Sequence, residues 1–280
     1  MKSFRTNKLI LIPTDFSEVA ENAIVHGLEL ARELHYSVCL LHVFNNGDGV
    51  NGVDHAAAFQ NTQQDLLQRK AKYEQQYGVK TEALIRSGNL FKVINAVVAE
   101  LKPAFMVMGT HGKQGLQHLF GSHALRVVLD SPCPVIVVQD RSFNQGYRRI
   151  LIPVNSEVYP IRLIDWALLL GKLFKPEIHL FQALETDTDR NNRIARISHQ
   201  IADAFLKKKI SFTAHVAGSP NDFSEQVVSF ANTNKSDLVM TLAIPTTEAI
   251  GYNLSEWNER LMFNPYRIPV MFIDRADTTA

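Results

Sequence analysis

The sequence Lys8-Leu9-Ile10-Leu11-Ile12-Pro13 recurs later in the chain as Arg149-Ile150-Leu151-Ile152-Pro153. Each copy is a short apolar run that ends at a proline and is followed by polar residues, a pattern typical of a strand buried on both faces. Because the same opening occurs twice in a chain of 280 residues, we predict two domains of similar fold. One large domain built on a single sheet is the alternative, and the restart of the pattern favours two domains.

Apolar runs and helical patterns alternate in the same order after each opening. A long helical pattern follows both openings, at residues 17–35 and 160–174. The later predicted strands cover residues 37–44, 79–86, 104–108 and 134–138 in the first half, and 177–184, 210–217, 237–241 and 269–273 in the second. Strands that alternate with helices predict parallel pairing through right-handed crossovers. We assign the domains to residues 1–140 and 148–280, separated by a polar stretch.

The predicted fold class is α/β, as two tandem open five-stranded parallel α/β sandwiches. Two strand orders are common, 2-1-3-4-5 and 3-2-1-4-5, and we expect the second. It leaves each fifth strand at a sheet edge, where Val135-Ile136-Val137-Val138 and Val270-Met271-Phe272-Ile273 carry neither lysine nor a mid-strand proline. Antiparallel pairing of the two strands satisfies both edges, so we predict that the halves pack as an intramolecular pseudo-dimer. Further homodimerisation through other faces stays open.

Composition narrows the class of partner. The chain has 29 basic and 28 acidic residues, and its net charge of +1 provides no overall field for nucleic acid or an anionic membrane. No apolar run reaches spanning length, and the polar start lacks the apolar segment of a signal peptide. The two cysteines, Cys39 and Cys133, stand in apolar surroundings without metal-type spacing. We expect a cytoplasmic protein that binds neither nucleic acid nor membrane.

Candidate ligand-binding residues follow the first and fourth strands. In the order 3-2-1-4-5 the crevice lies between the carboxyl ends of these strands, which read Pro13-Thr14-Asp15 and Met108-Gly109-Thr110-His111-Gly112. The Asp15 carboxylate is suited to accept hydrogen bonds from ribose hydroxyls or an adenine amine. Gly109 and Gly112 allow backbone N–H groups to approach a phosphate, and Gly121-Ser122-His123 opens the last helix with donors for the same group. The set favours a nucleoside phosphate.

Each of these residues also has an ordinary structural role. Asp15, alone or with Ser17, is a suitable cap for the following helix. Gly112 and Gly115 are suited to a turn, and Ser122 is suited to an N-cap. The functional interpretation depends on their meeting at one crevice.

Three segments resemble the universal stress protein family. They are Leu11-Ile12-Pro13-Thr14-Asp15-Phe16-Ser17, Leu41-His42-Val43, and Gly109-Thr110-His111-Gly112 through Gly121-Ser122. The resemblance extends over nearly the whole chain as a tandem pair and implies an adenine nucleotide alpha hydrolase-like architecture. The nucleotide-binding members carry G-x2-G-x9-G-[ST]. Here eight residues, 113–120, separate Gly112 from Gly121, where the family pattern has nine.

The resemblance implies ATP or a related adenine nucleotide as the cofactor, with or without Mg²⁺, in a stress-response regulatory protein. Asp15 would contact the ribose or the adenine. The base would lie against Pro13, Thr14, Val43 and Met108. The ribose and phosphates would be surrounded by Gly109, His111, Gly112, Gly121, Ser122 and His123.

The second half departs from this pattern. Asn155 stands where the first half has Asp15. The later segment reads Leu242-Ala243-Ile244-Pro245-Thr246-Thr247, with no glycine at the positions of Gly109 and Gly112. We therefore expect a degenerate second domain and about one nucleotide per chain.

No strong catalytic signature stands in the sequence, which has neither a Walker A lysine motif nor a pyrophosphatase loop. We expect no enzyme, with slow ATP hydrolysis through His111 or His123 as one alternative. A nucleotide-free protein-interaction module of the same fold is another, with an unknown partner. A metal site built from His111, His118 and His123 is disfavoured, because their spacing does not place them on one helical face. Motifs of a flavoprotein or nucleotide hydrolase are missing.

Overall fold

The computed structural model describes residues 7–44, 55–110, 121–143, 146–158, 160–243 and 256–273, with the backbone alone at residues 55 and 121–125. The strands are β1 Asn7–Pro13, β2 Ser37–Phe44, β3 Thr81–Ser87, β4 Pro103–Gly109, β5 Val135–Val138, β6 Arg149–Val154, β7 Glu177–Gln182, β8 Phe212–Val216, β9 Leu238–Leu242 and β10 Val270–Ile273. The helices are α1 Glu18–Leu34, α2 His55–Tyr77, α3 Leu90–Leu101, α4 Gly121–Asp130, α5 Pro160–Phe174, α6 Thr188–Lys207, α7 Phe223–Thr233 and α8 Glu256–Met262. Strands and helices alternate in both halves as predicted.

The described strands form one ten-stranded sheet in the order β3-β2-β1-β4-β5-β10-β9-β6-β7-β8. Each half therefore has the order 3-2-1-4-5, and all pairings within a half are parallel. This confirms the predicted fold class. The sequence left a choice between two repeated domains and one domain built on a single sheet. The structure combines the two, because one continuous sheet runs through two copies of the same five-stranded unit. The domain boundaries at residues 140 and 148 stay a prediction.

The first helix has clear start and stop signals. Ser17 caps α1, accepting a hydrogen bond from the Ala20 amide at 3.2 Å, and Glu18 and Glu21 lie in the first turn, where the helix dipole favours negative charge. The helix ends at His35, whose left-handed conformation turns the chain back into β2.

Side chains that alternate along the strands divide the core into two apolar layers. In β1, Ile10 and Ile12 belong to one layer, and Leu9 and Leu11 belong to the other. Helices α1, α2, α5 and α6 cover the layer of Ile10 and Ile12, which we call the α1 layer. Helices α3, α4, α7 and α8 cover the opposite layer, which we call the α3 layer. This is a doubly wound architecture, which leaves the strand ends at the sheet edge open for a ligand.

The two halves join through their fifth strands. Strands β5 and β10 pair antiparallel, with Val137 opposite Val270 and Ile136 opposite Met271. Both strands are completely buried. The predicted pseudo-dimer contact is therefore confirmed, and it removes two apolar strand edges from solvent.

The segment between the halves is less polar in its contacts than its composition indicates. We predicted a polar linker, but Phe143 and Tyr147 are 4% and 1% exposed and pack with His26 and Phe174. The Arg141 guanidinium also donates to the Ser236 carbonyl at 2.9 Å. The segment is thus anchored to both halves, because its aromatic side chains contact His26 of α1 in the first half and Phe174 of α5 in the second.

Burial of His26 predicts a specific pH dependence of stability. Its Nε2 lies 2.8 Å from the Tyr147 hydroxyl, and burial lowers the pKa of His26 from 6.5 to about 3. Between these two pH values the unfolded chain binds a proton that the folded chain does not, so stability falls as the pH falls. At pH 5 the expected loss relative to pH 7.5 is about 2 kcal/mol.

Chemical denaturation of the wild-type chain and of His26→Gln at pH 7.5 and 5 measures this contribution. The glutamine variant should lose about 2 kcal/mol less on acidification than the wild type. His199→Gln is the matched control, because His199 is an exposed histidine on α6. This variant should lose as much stability between pH 7.5 and pH 5 as the wild type. An identical pH dependence in wild type and His26→Gln would contradict the assignment.

Candidate functional site

Three predicted site residues, Pro13, Thr14 and Asp15, lie one after another at the carboxyl end of β1. Pro13 ends the strand, and the Thr14 amide still donates to the Leu41 carbonyl of β2 at 2.8 Å. Thr14 is buried, whereas Asp15 is exposed. The chain therefore leaves the sheet at Asp15, at the edge where the crevice was predicted.

Asp15 is held by the residues that start α1. Its Oδ1 accepts hydrogen bonds from the Ser17 amide at 3.1 Å and from the Ser17 hydroxyl at 2.6 Å. The sequence offered Asp15 as a helix cap, alone or with Ser17; in the structure Ser17 is the cap, and Asp15 supports it through this turn. Within the described part of the chain, Oδ2 has no hydrogen-bond donor. The carboxylate is thus oriented through one oxygen, while the other accepts no hydrogen bond from the described residues.

The residues predicted to lie against a base share one face of the sheet. Val43 near the end of β2 and Met108 near the end of β4 both belong to the α3 layer. Pro13 lies two residues after Leu11 in β1 and therefore faces the same side of the sheet. Val43 and Met108 are 8% and 4% exposed. They form an apolar floor at the ends of two strands that flank β1.

Gly109 faces the opposite layer, and the structure provides a different reason for a glycine there. A Cβ at this position would lie 2.4 Å from the Val19 carbonyl oxygen and 2.7 Å from Val19 Cγ1. The first turn of α1 therefore packs directly on the backbone at the end of β4. We predicted that the glycine makes room for a phosphate, but close packing against α1 already requires it.

The remaining predicted site residues lie wholly or partly outside the described structure. His111 and Gly112 lie outside the described residues, as do His118 and residues 113–120 between the two glycine pairs. The α4 backbone begins at Gly121, so Gly121, Ser122 and His123 form its first turn as expected. Their side chains are not described. Their roles toward a phosphate therefore stay predictions.

Two residues that the sequence analysis did not place in the site brace the turn at Asp15. His42 Nδ1 donates to the Thr14 carbonyl at 2.8 Å, and its ring stacks on Phe16 with centroids 4.6 Å apart. Phe16 has a φ of 64°, and the Arg69 guanidinium lies 4.9 Å from its ring centroid. The quoted segments that contain Phe16 and His42 were the sequence signal for this position, and neither indicated the contact, which joins β2, α2 and the turn before α1.

The second half has an equivalent turn without the charge. Asn155 follows β6, and its Oδ1 accepts from the Glu157 amide at 3.0 Å, as Asp15 accepts from Ser17. In the strand register, Leu242 pairs with Ile273 as Gly109 pairs with Val138. The buried leucine at the glycine position agrees with the expected degeneration. Residues 244–255, which include Ile244, Pro245, Thr246 and Thr247, lie outside the described structure.

The described residues also bear on membrane insertion and on metal binding. None of the helices there is long and apolar enough to cross a membrane. In the same ranges, no three histidine, cysteine, aspartate or glutamate side chains form a group suited to a metal ion. Both cysteines, Cys39 and Cys133, are free and buried.

The order 3-2-1-4-5, with helices on both faces of the sheet, defines a doubly wound α/β protein. Residues 6–139 match the model of the universal stress protein family. A universal stress protein of Methanocaldococcus jannaschii is 31% identical over 140 residues, which are 47% of this chain and 82% of the relative. A second one from the same organism is 30% identical over 156 residues, 48% of this chain and 96% of the relative. The chain belongs to the universal stress protein family.

Solved structures support the fold over the whole chain. A universal stress protein from Archaeoglobus fulgidus superposes with a TM-score of 0.77 at 19% identity, over 96% of this chain and 99% of that one. Two further universal stress proteins, one of them from Arabidopsis thaliana, each match 49% of this chain and were solved with AMP and with cAMP. Their TM-scores of 0.35 and 0.38 are too low to compare sites.

Proposed function

We propose that this protein is a stress-response regulator that binds ATP or a related adenine nucleotide in the crevice of its first half, without catalysing a reaction. The observation that carries the proposal is the exposed Asp15 carboxylate, oriented by Ser17 at the carboxyl end of β1. Membership of the family supports it.

In this proposal, different residues around Asp15 bind the ribose, the base and the phosphates of the nucleotide. The Asp15 Oδ2 accepts from the ribose hydroxyls or the adenine amine, which are hydrogen-bond donors. Pro13, Val43 and Met108 provide apolar surface for the base. The positive end of α4 at Gly121 attracts the phosphates, with or without Mg²⁺, and His111, Gly112, Ser122 and His123 complete the set.

A regulatory role fits this site better than a catalytic one. His42, the histidine that the structure places at the turn, uses Nδ1 to hold the Thr14 carbonyl. This contact makes it a positioning residue for the turn, and the sequence carries neither a Walker A lysine motif nor a pyrophosphatase loop. We place the protein in the cytoplasm because the chain has only two cysteines, and both are free.

Nucleotide stoichiometry and an Asp15 variant test the proposal. Titration calorimetry with ATP, ADP and AMP should find about one site per chain. Asp15→Ala should weaken binding by about 1.5–3 kcal/mol, roughly tenfold or more, because a hydrogen bond to a charged acceptor is lost. Asp15→Asn keeps an acceptor for Ser17 and separates the loss of charge from the loss of the turn.

Asn155→Ala is the matched control, since Asn155 occupies the same turn in the second half. It should leave nucleotide affinity unchanged. Two equal sites per chain would contradict the proposal, as would normal affinity in a folded Asp15→Ala chain. Absence of nucleotide binding, together with capture of a protein partner by the same face, would favour the interaction module instead.

A further inference from the structure

The crevice of the second half contains a pocket that differs in chemistry from the first. A pocket of about 320 Å³ lies where β6 and β7 end, against the first turns of α7 and α8. Asn155, at the position of Asp15, is one of its lining residues. This volume lies at the lower end of the range for small-molecule sites. The pocket therefore lies beside the switch point of the second half, on the side of β6 where β7 pairs with it.

Stacked aromatic rings form part of the wall. Phe223 and Trp257 both line the pocket, with ring centroids 5.5 Å apart and planes 12° from parallel. Phe223 stacks in turn on Phe181 at 5.6 Å and 17°. Phe181 is 5% exposed, whereas Phe223 and Trp257 are half-buried. A rigid stack anchored in the core thus presents aromatic surface to whatever enters the pocket.

The charge at the pocket is negative. Among the described residues that line it are the carboxylates of Glu185, Asp222 and Glu256 and one guanidinium, that of Arg260. Arg260 is already paired, with Glu256 at 2.6 Å and Glu225 at 3.4 Å. An anionic ligand would therefore meet excess negative charge rather than a free cation.

Asp222 is the carboxylate that no described residue neutralises. It precedes α7 but makes no side-chain capping bond, and no ion pair reaches it from the described part of the chain. Glu185, by comparison, lies 3.8 Å from Arg190. An exposed carboxylate beside an aromatic wall favours a cation that is itself flat, because stacking and charge attraction then act together.

We propose that this pocket binds a small planar organic cation, such as an aromatic amidinium or a protonated aromatic amine, and that it rejects phosphorylated ligands. The cation lies against Phe223 and Trp257, and Asp222 supplies the countercharge. The second half thus keeps a ligand site of opposite charge preference to the first. This site is independent of nucleotide binding at Asp15.

Three probes of matched shape test the charge preference. Benzamidinium, benzamide and benzoate share one ring and differ in charge from positive to neutral to negative. The chain has two tryptophans, and Trp166 is 2% exposed and packs edge-on against Phe105. In a Trp166→Phe background the fluorescence of Trp257 reports binding directly. Calorimetry on the wild-type chain gives a second readout.

Benzamidinium should bind about tenfold more tightly than benzamide, and benzoate should not bind, because cation–π and charge attraction add to the shared stacking. Asp222→Asn should reduce benzamidinium affinity about fivefold and leave benzamide unchanged. Trp257→Leu should weaken both. Raising the salt concentration should weaken benzamidinium alone.

Asp203→Asn is the matched control, since it makes the same change on α6, on the opposite layer of the sheet. It should not alter any affinity. Equal affinities for the three probes would overturn the proposal, as would no binding of benzamidinium by either readout. Equal effects of Asp222→Asn and Asp203→Asn would also overturn it.

Discussion

Gly109→Ala is expected to lower the free energy of unfolding by about 3 kcal/mol, the upper range for overpacking a core. The added Cβ would lie 2.4 Å from the Val19 carbonyl oxygen, and that neighbour is helix backbone. A flexible side chain would move aside at little cost, but here the first turn of α1 has to shift away from β4. The branched side chain in Gly109→Val should cost more.

Thermal and chemical denaturation measure this effect, and the expected fall in melting temperature is about 6–12 °C. Gly218→Ala is the matched control, because the nearest atom to its added Cβ is Gln226 Oε1 at 3.9 Å. That variant should be close to neutral. A Gly109→Ala chain as stable as the wild type would contradict the packing assignment.

Because position 109 packs against Val19 of α1, a Gly109 variant does not test ligand binding separately from helix packing. Weak nucleotide binding in a Gly109 variant would follow from displacement of α1, which also carries Ser17 and thereby Asp15. Asp15→Asn avoids this confusion, since it leaves the helix packing intact.

Val137→Lys is expected to separate the two halves and to cost at least about 3 kcal/mol, because it places an ammonium group in the core. Val137 is 2% exposed, belongs to the α3 layer, and lies between Met108 of β4 and Val270 of β10. Val137→Pro should act similarly by removing a backbone donor from the middle of the sheet.

Limited proteolysis and calorimetric melting detect this separation. We expect two melting transitions or new cleavage in the segment around Phe143 and Tyr147, whose side chains are buried in the wild type. Val216→Lys is the control, because Val216 is 59% exposed on the outer strand β8. It should leave the chain compact. If the Val137→Lys chain is as resistant to protease as the control, the prediction is wrong, and the pairing of β5 with β10 is not what holds the halves together.

Much of the fold was predictable because its signals are local. The runs at Leu9–Ile12 and Ile150–Pro153 indicate buried strands from a few adjacent residues, and the alternation of runs and helical patterns predicts parallel pairing. The joint through β5 and β10 was also predictable, because an apolar strand with no charge or proline needs a partner on its open side. The crevice was predicted from the strand order, and the structure places Asp15 directly after β1, while its role toward a ligand stays a prediction.

The linker and the environment of Gly109 were not predictable in the same way. Phe143 and Tyr147 stand in a polar stretch, and only their contact with His26 and Phe174 shows that they belong to the core. The bracing of Asp15 by His42 and Phe16 likewise joins residues from separate elements.

The sequence by itself determined the repeated α/β architecture, the pairing of the two fifth strands and the charge difference between Asp15 and Asn155. Each of these follows from periodicity, edge chemistry or residue type within a short segment. Only the tertiary structure decided that Gly109 is required by Val19, and that Phe181, Phe223 and Trp257 stack beside Asp222. The physical reason is that close packing depends on distances of a few tenths of an ångström between elements far apart in the chain, and local patterns do not encode such distances.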